Sequence, residues 1–118
     1  MSLSHRFELR SGYAVVRVEG EPDLGEFHAF IERLGAESLA WPVRRVLVDL
    51  RSVRTLTTFA EHFSVGQQVV RHLPHLNRIA SVVPGDRITR ASEKTARQSG
   101  VNLTVFTSEA EAVAWLEA

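Results

Sequence analysis

The sequence predicts an α/β fold: a mainly parallel five-stranded sheet with an antiparallel first strand, in the order β-β-α-β-α-β-α-β-α. Three observations predict it. Short apolar runs rich in β-branched residues alternate with stretches whose apolar residues recur every three or four positions, as in strands joined by helical crossovers. Val46-Leu47-Val48, ended by Asp49-Leu50-Arg51-Ser52, is apolar without alternation, the pattern of a strand buried on both faces. Phe7 to Leu9, a Ser11-Gly12 turn and Tyr13 to Glu19 read as a hairpin, which supplies the antiparallel pair.

The remaining elements follow in order. Gly20 closes the second arm of the hairpin, where Tyr13, Val15, Val16 and Val18 alternate loosely. Asp23, with Glu26 three residues on, caps a helix whose Leu24, Phe27, Phe30, Ile31 and Leu34 make one apolar stripe. Gly35 is a candidate end for it, with continuation through Ala36 to Ala40 as the alternative, and Trp41-Pro42 forces an extended connection. After the central strand, Thr58-x-x-Glu61 is a capping box that opens a helix to Leu73. Phe59, Phe63, Gly66, Val70 and Leu73 share its apolar face, with Val69 beside it, and Pro74 stops it. Arg78 to Val83 is the next strand and Pro84-Gly85 the turn after it. Asp86 caps a third helix running to about Ser99, with Gly100 suited to the position just past its end. Asn102 to Phe106 is the last strand, and Ser108-x-x-Glu111 opens a final helix through Val113 and Leu116.

At 118 residues the chain is read as one domain, 1–118, with a core of its own. A formal net charge of +0 gives no electrostatic attraction for nucleic acid. The chain contains no cysteine, which excludes disulfides, thiolate catalysis and cysteine-ligated zinc. There is no apolar signal core and no transmembrane segment, so a cytoplasmic location is expected. A homodimer is compatible with so small a domain.

No enzyme signature, cofactor motif or metal site emerges. His62 and His72 are ten residues apart on one expected helix, which puts them on nearly opposite sides of its axis. His28 lies near the apolar stripe of the first helix and is expected to be partly buried and hydrogen-bonded. Asp49 has the position of a base or ligand, but the commoner role there is to accept hydrogen bonds from the loop amides that follow. G-x-S-x-G is absent, and the glycines are scattered. Arg87, Arg90, Lys94 and Arg97 form a cationic stripe on the third helix, read either as a solvated face, with Glu93 pairing Arg90 or Arg97, or as a docking face for an acidic partner or an anionic head group. Trp41, Phe63 and Trp115, with Phe59, are large aromatics that fill the core or line a small apolar pocket.

Three segments, L-V-D-L at Leu47 to Leu50, R-I-A-S-V at Arg78 to Val82 and V-F-T-S-E-A-E-A-V-A-W-L at Val105 to Leu116, resemble in order and spacing a STAS domain of the SpoIIAA-like (STAS/SEC14-type) stand-alone bacterial family. The resemblance spans essentially the whole chain. It implies a STAS/SpoIIAA-like fold and a non-enzymatic regulatory module that works through a protein partner, as anti-sigma-factor antagonists do. Their Asp-Ser-Ser-Gly tetrad, with its phosphorylated second serine, falls here on Thr57-Thr58-Phe59-Ala60, so Phe59 stands at the phosphoacceptor position. The expected contact surface is therefore Thr57, Thr58 and Phe59 with the helix faces beside them. The SEC14 side of the resemblance implies the alternative, a carrier of a small apolar molecule or lipid.

Overall fold

The structure is a computed structural model that describes residues 3–53, 59–85 and 91–118, without the side chains of residues 59–63, 91 and 92. The order is β1 (Leu3–Leu9), β2 (Ala14–Gly20), α1 (Leu24–Ser38), β3 (Arg45–Val53), α2 (Phe59–His72), β4 (Arg78–Val82), α3 (Ala91–Gln98), β5 (Leu103–Phe106) and α4 (Glu109–Glu117). The five strands lie side by side in chain order, with β1 antiparallel to β2 and the other neighbours parallel. This is the expected architecture.

Strands laid down in sequence by right-handed crossovers must place their connecting helices on one side. Phe27, Phe30, Ile31 and Leu34 of α1, Val69 of α2 and Ala96 of α3 accordingly pack on Val16, Val18, Val46, Val48 and Ile79. The alternate residues Val15, Leu47, Ala80 and Val82 face the other way and are covered by Ala112 and Leu116 of α4. Val46, Leu47 and Val48 are 0, 0 and 7% exposed, so β3 is buried on both faces as its sequence required.

Two elements differ from the first sequence-based expectation. The first strand begins at Leu3 rather than Phe7, because Leu3 packs against the core and His5 sets its ring edge-on to Phe30 at 5.1 Å. Helix α1 runs straight through Gly35 to Ser38. Gly35 marks instead the point where α1 crosses the end of α2: a β-carbon there would sit 2.5 Å from the backbone oxygen of His72. Ser38, completely buried, donates to Gly35 O at 3.1 Å and meets His75 Nε2 at 2.7 Å. The final helix is nine residues long and shows little sidedness in sequence; it is fixed at its end by Arg45 and Arg78, whose guanidiniums donate to the carbonyls of Leu116, Trp115 and Ala118.

The caps behave as read where they are described. Asp23 and Glu26 form a reciprocal capping box, and Ser108 accepts from Glu111 N at 3.3 Å. Gly100, at φ +90, ends α3: its N–H bonds Arg97 O while Val101 N–H bonds Ala96 O. The Thr58–Glu61 box and the Asp86 cap lie outside the described residues.

Candidate functional site

The carboxyl ends of parallel strands and the amino ends of the helices after them share one rim, the usual working edge of an open α/β sheet. Here that rim carries four charged side chains in direct contact. Arg17 and Asp49 are register partners on β2 and β3, and both project to the α4 side. Arg17 donates to Asp49 Oδ2 at 2.9 Å and grips both oxygens of Glu109, the first residue of α4, at 2.9 and 3.2 Å. Arg51, two residues along β3 and so on the same face, donates from Nε and NH2 to the two oxygens of Asp49, each at 2.9 Å. It also reaches Glu109 at 2.7 Å. The Arg51 backbone N–H donates to Asp49 Oδ1 at 3.1 Å, the local role expected of Asp49.

Burial would push the Asp49 carboxyl up, but its bonds from Arg51 and Arg17 outweigh that and hold it below the usual carboxylate value. The bidentate contact with Arg17 lowers Glu109 in the same way, and Arg17 itself is raised, chiefly by Glu109. Both acids are thus ionised and occupied by guanidiniums. Such carboxylates make weak proton acceptors. Among the described residues no group of three or more His, Asp or Glu side chains could hold a metal ion. Beside the quartet a shallow cleft of about 350 Å³ is lined by Ser4, Arg6, Glu19 and Ser52 together with Arg17 and Asp49. With His5 and Val18 also in the lining, its walls are of mixed polarity and mixed charge.

Of the residues singled out in the sequence, Thr57, Thr58, Arg87 and Arg90 lie outside the described residues, as do the side chains of Phe59 and Phe63. Lys94 is exposed on α3. Arg97 is exposed on α3 and engaged with β5: its Nε donates to Leu103 O at 2.9 Å and its NH2 to Thr104 Oγ1. Glu93 likewise turns to the sheet and accepts from Val105 N at 2.8 Å. Trp41 is 8% exposed, packs in the α1–α2 layer and lies 5.5 Å from the Phe7 ring. Trp115 is on the opposite side of the sheet, 5.7 Å from Phe106 and under the Arg78 guanidinium. The two tryptophans therefore do not line a common cavity. His28 meets Ser64 Oγ at 2.9 Å, as a partly buried, hydrogen-bonded histidine should.

Sequence reasoning missed Arg17, Arg51 and Glu109. A signal was present: Arg17 interrupts V-V-R-V and Asp49 interrupts V-L-V-D-L, two charges at inward positions of otherwise apolar strands. An opposite charge on the neighbouring strand is the cheapest way to tolerate each.

The family model for SpoIIAA-like proteins matches residues 13–117. The chain belongs to the SpoIIAA-like family. Solved structures agree on the fold. An anti-sigma factor antagonist from Mycobacterium paratuberculosis is similar with a TM-score of 0.67 and 18% identity, over 99% of this chain and 96% of that one. A protein of the DUF3478 family with a SpoIIAA-like fold, from Shewanella loihica PV-4, is similar with a TM-score of 0.59 and 15% identity over 98% and 94% of the two chains. The anti-sigma factor antagonist SpoIIAA in its unphosphorylated form gives 0.55 and 13%, over 97% and 96%. No curated protein matches the sequence significantly. Among the described residues of this SpoIIAA-like chain, no helix is long and apolar enough to cross a membrane.

Proposed function

We infer that this SpoIIAA-like chain is a non-enzymatic regulatory module that binds a protein partner at the rim where β3 passes into α2. Thr57, Thr58 and Phe59 supply the contact, together with Arg87, Arg90 and Lys94. The observation that carries this reading is the Arg17–Asp49–Arg51–Glu109 quartet. It ties β2, the carboxyl end of β3 and the start of α4 together, with both carboxylates held ionised. Strand ends fixed in this way suit a recognition edge, because little ordering of β2 and β3 remains to be done on binding. Proton transfer would need a group poised near the working pH, which these acids are not. The anti-sigma factor antagonists of the same fold support a regulatory role in the same direction. With Phe59 at the acceptor position, the module works without a phosphorylation switch there.

Affinity capture from the native cells with wild-type bait and with Thr57→Arg bait tests the reading. A protein retained at near-equal stoichiometry by the wild type and lost with Thr57→Arg, while both baits melt at the same temperature, is the expected result. Equal retention by the two baits, or no stoichiometric partner, overturns it. An apolar carrier has less support, since Trp41 and Trp115 pack in separate layers.

A further inference from the structure

The two edges of the sheet are finished differently. On β5, Asn102 O and Phe106 O accept from Ile79 N and Val83 N, so the odd-numbered residues turn their backbone groups outward. Side chains of α3 occupy them: Glu93 accepts from Val105 N at 2.8 Å and Arg97 donates to Leu103 O at 2.9 Å. That edge is blocked.

On β1, Arg10 N donates to Tyr13 O at 2.8 Å, which sets the phase of the ladder with β2. Even-numbered residues bond inward, and Leu3, His5, Phe7 and Leu9 point their N–H and C=O groups outward. No described strand lies beyond them. Phe7 and Leu9, each 47% exposed, accompany this open edge on the α1 face. Ser4, Arg6, Glu8 and Arg10 lie on the other face. Arg6 has no ion pair among the described residues, and Glu8 holds its own Arg10 at 3.0 Å through one oxygen.

We propose that β1 pairs antiparallel with β1 of a second copy of this chain, about a two-fold axis through Phe7, joining the two sheets edge to edge. Charge selects this register. Side chains directly opposite in an antiparallel pair lie close together, and like charges there are destabilising. Centring on Arg6 opposes two guanidiniums, and centring on Glu8 opposes two carboxylates. Centring on His5 sets Arg6 against Ser4, and centring on Leu9 leaves most of the strand unpaired. Centring on Phe7 sets Arg6 of each copy opposite Glu8 of the other and gives Arg6 the carboxylate it lacks, since Glu8 has a second oxygen to offer. On the α1 face the same register stacks Phe7 on Phe7 and His5 against Leu9. Pairs His5–Leu9, Phe7–Phe7 and Leu9–His5 then exchange the hydrogen bonds of the open edge. A seam this narrow falls at the small end of specific interfaces, so the dimer is a micromolar one in rapid exchange.

Sedimentation equilibrium from micromolar to millimolar protein tests this independently of the partner reading. Wild type reaches dimer mass, while Arg6→Glu and Glu8→Arg each stay monomeric. An equimolar mixture of those two variants returns to dimer mass, because every contact between positions 6 and 8 is again of opposite sign. Phe7→Ser, which alters no charge, also stays monomeric, and thermal melts verify that each variant is folded. A monomeric wild type, dimers persisting in both single variants, or a mixture that remains monomeric overturns the proposal.

Discussion

Arg17 and Asp49 face each other across the parallel strands β2 and β3, with 2.9 Å between guanidinium and carboxylate. Thirty-two residues separate them in sequence, and Glu109 closes the contact from ninety-two residues away. One guanidinium thus joins the beginning, middle and end of the chain.

Replacing Arg17 with Met keeps most of the side-chain volume and removes the charge. Asp49, largely buried, would keep only Arg51, and Glu109 would lose its bidentate partner. Removing one member of a partly buried, charge-assisted set costs on the order of 1–3 kcal/mol, read by urea denaturation at neutral pH. The pH dependence has a definite sign. Both carboxylates sit below their ordinary values in the folded chain, so their contribution is complete above the ordinary carboxylate range and is lost as pH falls through the lowered values. The acid limb of stability against pH is expected to be shallower in Arg17→Met than in wild type.

Gly35→Ala tests the crossing of α1 and α2. Alanine is the better helix former by about 1 kcal/mol. Its β-carbon would meet the His72 carbonyl at 2.5 Å, and neither backbone can yield without moving a helix. Overpacking of this kind typically costs about 1–3 kcal/mol, so a net loss of stability is expected despite the gain in propensity. An unchanged or raised melting temperature would mean that the helices separate freely.

His75 should impose a second pH dependence, closer to neutrality. Burial, then the nearby Arg44 charge, lowers its pKa. Ser38 donates to Gly35 O, so its hydroxyl accepts from His75 Nε2. Burial and the Arg44 charge make the folded chain favour the neutral ring, whereas the unfolded chain takes up a proton near pH 6.5. Stability is full above that value and declines as pH drops below it toward the lowered folded pKa. Chemical denaturation of wild type and His75→Gln across this range should show the decline in wild type and its attenuation in the variant.

Glu93→Ala should uncover the β5 edge, because the variant loses the acceptor of the Val105 amide. Light scattering is expected to show concentration-dependent association beyond a dimer, with little change in far-UV circular dichroism. The absence of larger species would show that Arg97 alone suffices to block that edge.

Much of the fold was legible because its signals are local. The unalternating Val46-Leu47-Val48 run, the Asp23 and Ser108 caps and Gly100 each report on a few neighbouring residues. The first strand was read too short because Leu3, His5, Phe7 and Leu9 alternate only if histidine counts as core-facing, which the contact with Phe30 makes it. Gly35 was ambiguous for a related reason: a helix-ending glycine and a helix-crossing glycine look alike until the second helix is placed. Arg17 and Asp49 stand out as charges within apolar strands, but the pairing of the quartet and the Glu93 and Arg97 contacts depend on strand register or on the placement of α3 against β5. Sequence shows which charges exist; only the sheet shows which of them meet.

Helix α4 is gripped at both ends by arginines from the sheet, Arg17 and Arg51 at its start and Arg45 and Arg78 at its finish, while only Ala112 and Leu116 of it are buried. The molecule accordingly has one side glued by oil and one side strapped by charge. Added electrolyte, which strengthens the first and shields the second, would loosen this helix before any other, and amide exchange along residues 109–117 would quicken while α1 stayed silent.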